Sequence, residues 1–257
     1  MDDSEFDICP LSPAALDDLD DDLFARVYLP SSIADDVLEQ NHRSIAQQYA
    51  SLRFTSVEPQ SIPTTLGILI VGREPRRFIS GDYIQFLRID GTEWTDPIKY
   101  EKEIDGTFPD LIKNLDETFQ VNIAVAIDIT SQPVEIRQPD YPLVALQQLA
   151  RNAIMHRTYE WTNAPVRITW FSDRIEIQNP GGLFGRVNQE NFGSRGITDY
   201  RNPHLAEAMK KLRYSKKLGI GIALACQALE RNGNPPPEFI IIENHFLVIV
   251  KSYAKTI

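Results

Sequence analysis

Three polar side chains recur at four-residue spacing in the second half of the chain: Gln148, Asn152 and His156. On a helix, residues four apart lie on one face, so these three form a polar stripe opposite an apolar side. Amide and imidazole groups in a row can contact a polar ligand, but a stripe of this kind is also typical of a helix side that faces solvent. The spacing alone favours the solvated side.

Two glycine-containing segments follow the stripe, and each suits contact with a ligand. Asn179-Pro180-Gly181-Gly182 follows an alternating strand pattern, and glycines at such a place allow close approach of the backbone to a ligand. Gly219-Ile220-Gly221 opens a helical pattern, where free N–H groups and the positive end of the helix dipole suit a phosphate. Taken singly, the first segment is typical of a turn and the second of ordinary loop geometry.

Hydrophobic periodicity predicts the elements that must position these residues. In the second half, we expect helices over 143–157, 203–212 and 220–231 and strands over 165–171, 174–178, 239–242 and 246–250. In the first half, we expect helices over 33–52 (capped by Ser31 or Ser32) and 108–119, and strands over 66–71, 83–89 and 121–129. This mixture predicts an α+β fold, with helices on one face of a mainly antiparallel sheet.

Proline positions and charge divide the chain into three parts. Pro133, Pro139 and Pro142 place a boundary near residue 135, so we expect a small α+β region over 31–135 and a separate domain over 136–257. Residues 1–30 form an acidic linker or tail. This segment is either a solvated tail that anchors a few apolar side chains on a neighbouring element, or a linker from an upstream domain.

Composition and charge exclude several classes of protein. The chain has 257 residues, a net charge of −10 and no apolar run near the roughly 20 residues that a membrane-spanning helix needs. Residues 1–50 hold twelve acidic and two basic residues, which argues against non-specific DNA binding through that segment. Two cysteines cannot form a disulfide framework or a zinc cage. The absence of a basic secretory leader favours a cytoplasmic location.

The order of these segments resembles a known family. ALQQLARNAIMHRTYE, APVRITWFSDRIEIQNPGG, NFGSRGITDYRNPHLAEAMKKL and LGIGIALACQALERNGNPPPEF are similar to the ATP-binding half of AlbA-type (Schlafen-AlbA-like) bacterial and archaeal transcriptional regulators. The likeness extends upstream through PTTLGILIVGREPRRFISGDYIQFLRIDGTEW. It implies a degenerate ATPase module of the GHKL superfamily, with the Bergerat α/β sandwich in the C-terminal half. The family's upstream DNA-binding AlbA-type domain has no counterpart here, so DNA contact is expected only through that domain or a partner.

The resemblance assigns roles to the polar stripe. In the superfamily, a Glu four residues before an Asn polarises the attacking water, and the Asn holds Mg²⁺ against the phosphates. Asn152 matches the Asn, whereas Gln148 stands at the Glu position and cannot act as a general base. General-base assistance is worth about 10²–10⁴-fold in rate. The resemblance therefore implies binding of ATP with Mg²⁺ and slow or absent hydrolysis.

The glycine segments match the other two boxes of the superfamily. Asn179 stands where an Asp accepts a hydrogen bond from the adenine amino group, with Gly181 and Gly182 after it. Gly219 and Gly221 match the phosphate-cradling box. Positive charge near the phosphates is expected from Lys210, Lys211, Arg213, Lys216 and Lys217, which can equally belong to a solvated helix face. His156 is either a nucleotide-pocket residue or a helix-end histidine paired with a backbone carbonyl or with Tyr159.

Three functions remain open on the sequence. The first is a nucleotide-binding regulatory module with little or no hydrolysis. The second is a slow ATPase or a protein kinase of the same superfamily. The third is an interaction or homodimerisation scaffold that has kept the fold without the ligand. Arg73, Arg76 and Arg77, in a predicted loop between Gly72 and Gly81, either meet phosphate or are simply exposed.

Overall fold

A computed structural model describes residues 6–39, 41–57, 60–128, 136–193, 197, 199–214, 219–242 and 244–253. Its strands are β1 (Ile84–Ile89), β2 (Ile98–Ile104), β3 (Val125–Asp128), β4 (Ile136–Pro139), β5 (Val166–Trp170), β6 (Arg174–Pro180), β7 (Glu238–Ile242) and β8 (His245–Lys251). Six of them form one sheet in the order β2-β1-β5-β6-β8-β7, and β3 pairs with β4.

The sheet is mixed, and it joins strands from both halves of the chain. β1 and β5 are parallel, with Ile84 opposite Val166, and the other paired neighbours are antiparallel. The predicted α+β class and the mainly antiparallel sheet are confirmed. Because β1 and β2 precede residue 135 and β5 to β8 follow it, the sheet runs across the predicted boundary.

Ten α-helices surround the sheet in the described part of the chain. They are α1 (Asp21–Leu23), α2 (Leu29–Ser32), α3 (Asp35–Glu39), α4 (Ile45–Ser51), α5 (Thr65–Val71), α6 (Pro75–Phe78), α7 (Phe108–Asn122), α8 (Leu143–His156), α9 (Pro203–Lys211) and α10 (Gly221–Asn232). Each of the predicted elements after residue 142 is present to within three residues. None of the described helices is long and apolar enough to cross a membrane.

The two longest helices, α7 and α8, bury one face each because their apolar residues recur at helical spacing. α8 buries Leu146, Leu149, Ala150 and Ala153 and packs against α10 and β6. Along β8, buried and half-buried side chains alternate, which is the period of a strand with one covered face. Trp170 at the end of β5 is almost fully buried among aromatic rings of α7, β1 and the segment before α8.

The predicted strand over 66–71 is wrong, because these residues form α5. Thr64 caps this helix, since its side-chain oxygen accepts a hydrogen bond from the Gly67 N–H at 3.2 Å. All seven residues of α5 are buried. A short element buried on all sides has a continuous apolar sequence whether it is a strand or a helix, so periodicity could not distinguish the two.

The single helix predicted over 33–52 is also wrong, since the described residues of this region form two short helices, α3 and α4. Ser31 and Ser32 lie at the end of α2 and do not cap a following helix. Their hydroxyls donate to the carbonyls four residues earlier, those of Val27 and Tyr28. The capping box lies at α4 instead, where Ser44 and Gln47 exchange hydrogen bonds between side chain and backbone.

The acidic N-terminal segment packs into the molecule over its described residues. Phe24 is fully buried and its ring lies 4.4 Å from that of Tyr49, whereas Val27 is 40% exposed. Leu19 forms an isolated bridge with Gly72. Acidic side chains of the segment pair with the arginines near α6: Arg73 with Asp20 and Arg77 with Asp18, while Arg76 pairs with Glu103. These arginines are therefore held by carboxylates, and Arg76 and Arg77 lie in helix α6 rather than in a loop.

Candidate functional site

The polar stripe of α8 lies in a cleft. Gln148, Asn152 and His156 are all half-buried and line its wall, while the apolar side of the helix packs into the core. The stripe therefore does not face open solvent, which was the simpler interpretation of the spacing. α8 holds these side chains one turn apart on the same face.

The end of β6 supplies the second wall. Asn179 is 2% exposed, and its amide nitrogen donates to the Pro180 carbonyl at 3.4 Å. Asn179 and Gly182 line the cleft. Gly181 is not among the lining residues: it has φ +96°, and its N–H donates to the Asn244 carbonyl at 2.9 Å. Gly181 thus shapes the turn that follows β6.

The start of α10 supplies the third wall. Gly219 has φ +81°, the left-handed region that favours glycine. A Cβ on Gly221 would lie 3.3 Å from the Gln148 Oε1, so the start of α10 passes close to α8. Ile220, the N-cap residue of α10, provides no side-chain hydrogen bond to the first turn. The first backbone N–H groups of this twelve-residue helix are therefore not capped by their own N-cap side chain.

Seven of the eight predicted residues thus meet around one cavity, although they come from three separate segments. The cavity volume is about 140 Å³, roughly ten times what one buried water occupies. Its remaining wall is largely apolar and includes Leu183, Phe184, Val187, Phe192, Ile222 and Phe246. The Phe192 ring lies 5.1 Å from Phe239 and 5.4 Å from Phe246, which ties the segment after β6 to the β7–β8 hairpin.

His156 is neutral at pH 7. Burial, with the Arg201 guanidinium as a second cause, lowers the pKa of His156 to about 4. Its ring stacks on Tyr200 with centroids 5.3 Å apart and planes 18° apart. Tyr159 is engaged elsewhere, since its hydroxyl donates to the Ile154 carbonyl. His156 is therefore part of an uncharged aromatic stack at the cleft rather than a partner of Tyr159.

Two arginines lie beside the cleft. Arg151 lines it and forms a 2.8 Å ion pair with Asp116. Arg201 lies over the Phe184 ring at 4.8 Å, and burial lowers its pKa. Of the basic residues expected to supply positive charge, Lys211 pairs with Glu207 at 3.0 Å, and Lys216 and Lys217 lie outside the described residues.

Asp199 is the one carboxylate among the described residues that line the cleft. Its carboxylate accepts hydrogen bonds from the Arg186 N–H at 3.0 Å and its neighbour Tyr200 N–H at 2.9 Å. The first of these is the main cause that lowers the pKa of Asp199. A carboxylate with a lowered pKa is a weaker base, so Asp199 is a poor candidate for a general base.

The donor set fits a magnesium ion only together with a ligand that brings its own oxygens. Among the described residues, no group of three or more His, Cys, Asp or Glu side chains is placed to hold a metal. Asn152 can offer one neutral amide oxygen, whereas Mg²⁺ is commonly held by one or two carboxylates together with substrate phosphates and water. A phosphate-bearing ligand is therefore needed for the ion to be held here.

Sequence patterns did not identify two residues that hold this site together. Tyr200 lines the cleft, and Asn202 joins two helices, since its amide nitrogen donates to the Met155 and Arg157 carbonyls at 2.9 Å each. Asn202-Pro203 is a common helix-start signal, and it could have drawn attention to Asn202. No local signal points to the stacking of Tyr200 on His156.

The comparisons with known proteins agree with an ATPase-like module. Residues 163–250 match the model of a HATPase family described as "Putative ATP-dependent DNA helicase recG C-terminal". The matched range includes the end of β6 and the start of α10 but begins after α8. The match supports nucleotide binding by this part of the chain. No curated protein matches the sequence significantly.

A solved structure shares the fold over nearly the whole chain. The crystal structure of the DIP2311 protein from Corynebacterium diphtheriae superposes with a TM-score of 0.70 at 18% identity. The likeness covers 96% of this chain and 48% of that one, so this chain spans about half the length of the protein it matches. At this identity the likeness shows the fold.

Proposed function

We propose that the chain binds ATP with Mg²⁺ in the cleft between α8, the end of β6 and the start of α10. In this proposal it is the nucleotide-binding regulatory module of a GHKL-type, AlbA-like transcriptional regulator, with slow or no hydrolysis. The observation that carries the proposal is the convergence of seven predicted residues on one cavity. The ATPase-like family match over residues 163–250 supports it.

The purine occupies what we call the base end of the cleft, formed by Asn179, His156 and Tyr200. Because the Asn179 amide nitrogen is engaged with the Pro180 carbonyl, its side-chain oxygen is the group that remains to accept from an adenine amino group. A neutral acceptor gives a weaker hydrogen bond than a carboxylate. The Tyr200–His156 stack provides an uncharged aromatic surface beside it.

The phosphates occupy what we call the phosphate end, formed by Asn152, Gly219, Gly221 and the first turn of α10. Uncapped N–H groups and the positive dipole end of the helix attract the phosphate oxygens. The bound Mg²⁺ neutralises phosphate charge, and Asn152 holds the ion by its amide oxygen. Gly219 and Gly221 keep side chains away from the phosphate path.

Hydrolysis is slow because no group of the described cleft is a good base. Gln148 has no basic lone pair of useful pKa, the Asp199 pKa is lowered, and the His156 pKa is about 4. Losing a general base costs about 10²–10⁴-fold in rate. A bound nucleotide therefore stays intact long enough for its presence to be read by another domain or partner, including one that contacts DNA.

The proposal is tested by calorimetric titration of the chain with Mg²⁺ and a non-hydrolysable ATP analogue. We expect saturable binding that is lost in Asn152→Ala and kept in Asn122→Ala, which removes an amide of the same kind at the end of α7. An ADP release assay with Mg-ATP should show turnover near background. Absence of heat and of any thermal shift at millimolar analogue would refute nucleotide binding and favour a ligand-free scaffold.

A further inference from the structure

The N-terminal segment caps a helix that borders the cleft. Asp7 is 1% exposed, and its Oδ2 accepts hydrogen bonds from the backbone N–H groups of His204 at 2.8 Å and Leu205 at 3.0 Å. These are the second and third residues of α9, whose N–H groups have no partner within the helix. Asn202, the N-cap residue of α9, makes no cap with its own side chain. Asp7 therefore takes the place of the N-cap from 197 residues away.

Asn202 is turned away from α9 because its amide holds α8. Its nitrogen donates to the Met155 and Arg157 carbonyls at the C-terminal end of α8, and the residue is 2% exposed. Two residues earlier in sequence, Tyr200 stacks on His156 of the same helix end. The start of α9 is thus joined on one side to Asp7 and on the other to the wall of the cleft.

The residues around Asp7 are themselves fixed to the body of the molecule. The Thr65 N–H donates to the Cys9 carbonyl at 3.0 Å, and the Leu11 N–H donates to the Pro63 carbonyl at 2.9 Å. Both bonds join the segment to the start of α5. Asp7 is therefore an acceptor held in place by backbone bonds, rather than a charge on a loose tail.

We propose that Asp7 is a positioning residue of the cleft: by capping α9 it holds Tyr200 and Asn202 against the end of α8, so that ligand occupancy and the packing of residues 6–11 are coupled. The identity of the ligand rests on the proposed function, but the structural link does not. Coupling between two sites is reciprocal, so a nucleotide that favours Tyr200 and Asn202 in contact with the end of α8 must also stabilise the contacts of residues 6–11.

The test compares Asp7→Ala, Asp7→Asn and Asp22→Ala in the full chain. Asp7→Ala removes the acceptor, whereas Asn is as good an N-cap as Asp and should restore it. Asp22→Ala removes the same charge from an exposed site of the same segment, where Asp22 pairs with Arg26 one turn away at 3.3 Å. We expect Asp7→Ala to weaken binding of the Mg²⁺–analogue complex roughly tenfold and the other two variants to change it less than twofold.

A ligand-free readout separates this inference from the proposed function. The aromatic ring of Tyr200 changes the NMR chemical shifts of the His156 ring protons, so these shifts report whether the two rings are stacked. We expect Asp7→Ala to move these shifts and to speed exchange of the His204 and Leu205 amides roughly fivefold, with rescue by Asp7→Asn. If the chemical shifts move in Asp7→Ala but the unchanged chain does not bind the analogue, the proposed nucleotide binding is refuted and the structural link from Asp7 to the cleft is supported. Unmoved shifts and unchanged affinity in a folded Asp7→Ala variant overturn the inference.

A measurement on the unchanged chain covers the case in which Asp7→Ala does not fold. Addition of the analogue should slow amide exchange at Leu11 and Thr65, which carry the bonds between the segment and α5. If exchange slows more at Leu11 and Thr65 than at the amides of α7, the coupling is supported. Equal change everywhere, or none at Leu11 and Thr65 while analogue binds, contradicts it.

Discussion

The two ends of the proposed nucleotide cleft are held in different ways. At the base end, Asn179 is buried within β6, between β5 and β8, and Tyr200 is fixed by contacts between distant segments. At the phosphate end, all groups except the Asn152 side chain belong to the backbone: Gly219 with positive φ, Gly221 and the start of α10, which has no side-chain cap from Ile220.

Because of this difference, substitutions at the two ends should differ in how they affect the free energy of unfolding and ligand affinity. Side chains at the base end are shared with the core, so changing them lowers the free energy of unfolding as well as affinity. Groups at the phosphate end face the cleft and hold little else, so changing them should alter binding or turnover and leave the fold nearly intact.

Placing a carboxylate beside the phosphate end should have the largest effect. Gln148→Glu places a general base beside the start of α10, and we expect ATP turnover to rise about 100-fold. Thermal stability should change little, because residue 148 is half-buried and lines the cleft. Release of phosphate measured at saturating Mg-ATP checks this, with Gln227→Glu at an exposed position of α10 as the control. Turnover that stays at background would show that the remaining geometry does not support hydrolysis.

Next to the base end, Asn202→Ala should lower stability most. The change removes two hydrogen bonds from a buried amide to α8 carbonyls, each worth about 1 kcal/mol. We therefore expect the free energy of unfolding to fall by about 2 kcal/mol, measured by urea denaturation. Asn188→Ala, in the exposed loop after β6, is the control. A loss below about 0.5 kcal/mol would mean that Asn202 does not hold the two helices together.

Gly219→Val should reduce affinity with a smaller cost to the fold. A β-branched residue at φ +81° strains the backbone and brings a side chain to the phosphate path. We expect analogue binding to weaken about tenfold. Gly106→Val is a control for strain, since Gly106 also has a positive φ, +115°, and is not among the residues that line the cleft. Equal loss of affinity in both variants would assign the effect to strain rather than to position.

The smallest effect concerns pH. Burial lowers the pKa of His156 from 6.5 to about 4, so the unfolded chain binds the proton more readily between these values. The stability that His156 contributes should therefore fall by about 1 kcal/mol as pH drops from 6.5 to 4.5, a figure set below the full linkage because solvent screens a residue that is not completely buried.

The difference between the unchanged chain and His156→Gln isolates this contribution. The difference is needed because burial raises the pKa of Asp82 to about 7, which gives the opposite pH trend. Urea denaturation of both proteins at pH 4.5, 5.5 and 6.5 gives the measurement. A stability difference that does not vary with pH would mean that His156 titrates normally and is not enclosed at the cleft.

The sequence predicted the second half of the fold well because its signals are local. α8 and α10 have amphipathic patterns, Gly233 takes φ +79° at the end of α10, and β7 and β8 alternate as a hairpin does. Four-residue spacing was enough to place Gln148, Asn152 and His156 on one face. The resemblance then predicted which other segments join that face.

The rest depends on contacts between distant residues, which no local pattern carries. The apolar sequence of α5 fits a buried strand as well as a buried helix, so the local pattern does not distinguish the two. All seven residues are buried by contacts that exist only in the folded chain. The bonds from Asp7 to α9 join residues 197 positions apart, so an acidic segment that resembles a linker proves to be part of the fold. The stacking of Tyr200 on His156 also joins residues that are distant in sequence, so no local pattern predicts it.

The central claim is that the cleft binds nucleotide through Asn152. The most direct test is a calorimetric titration of Mg²⁺ and a non-hydrolysable ATP analogue into the unchanged chain and into Asn152→Ala, with thermal unfolding of both proteins as the check on folding. The account predicts saturable binding in the unchanged chain and at least a tenfold loss in a variant that melts at nearly the same temperature. Equal affinities in the two proteins, or no binding to either, would contradict it.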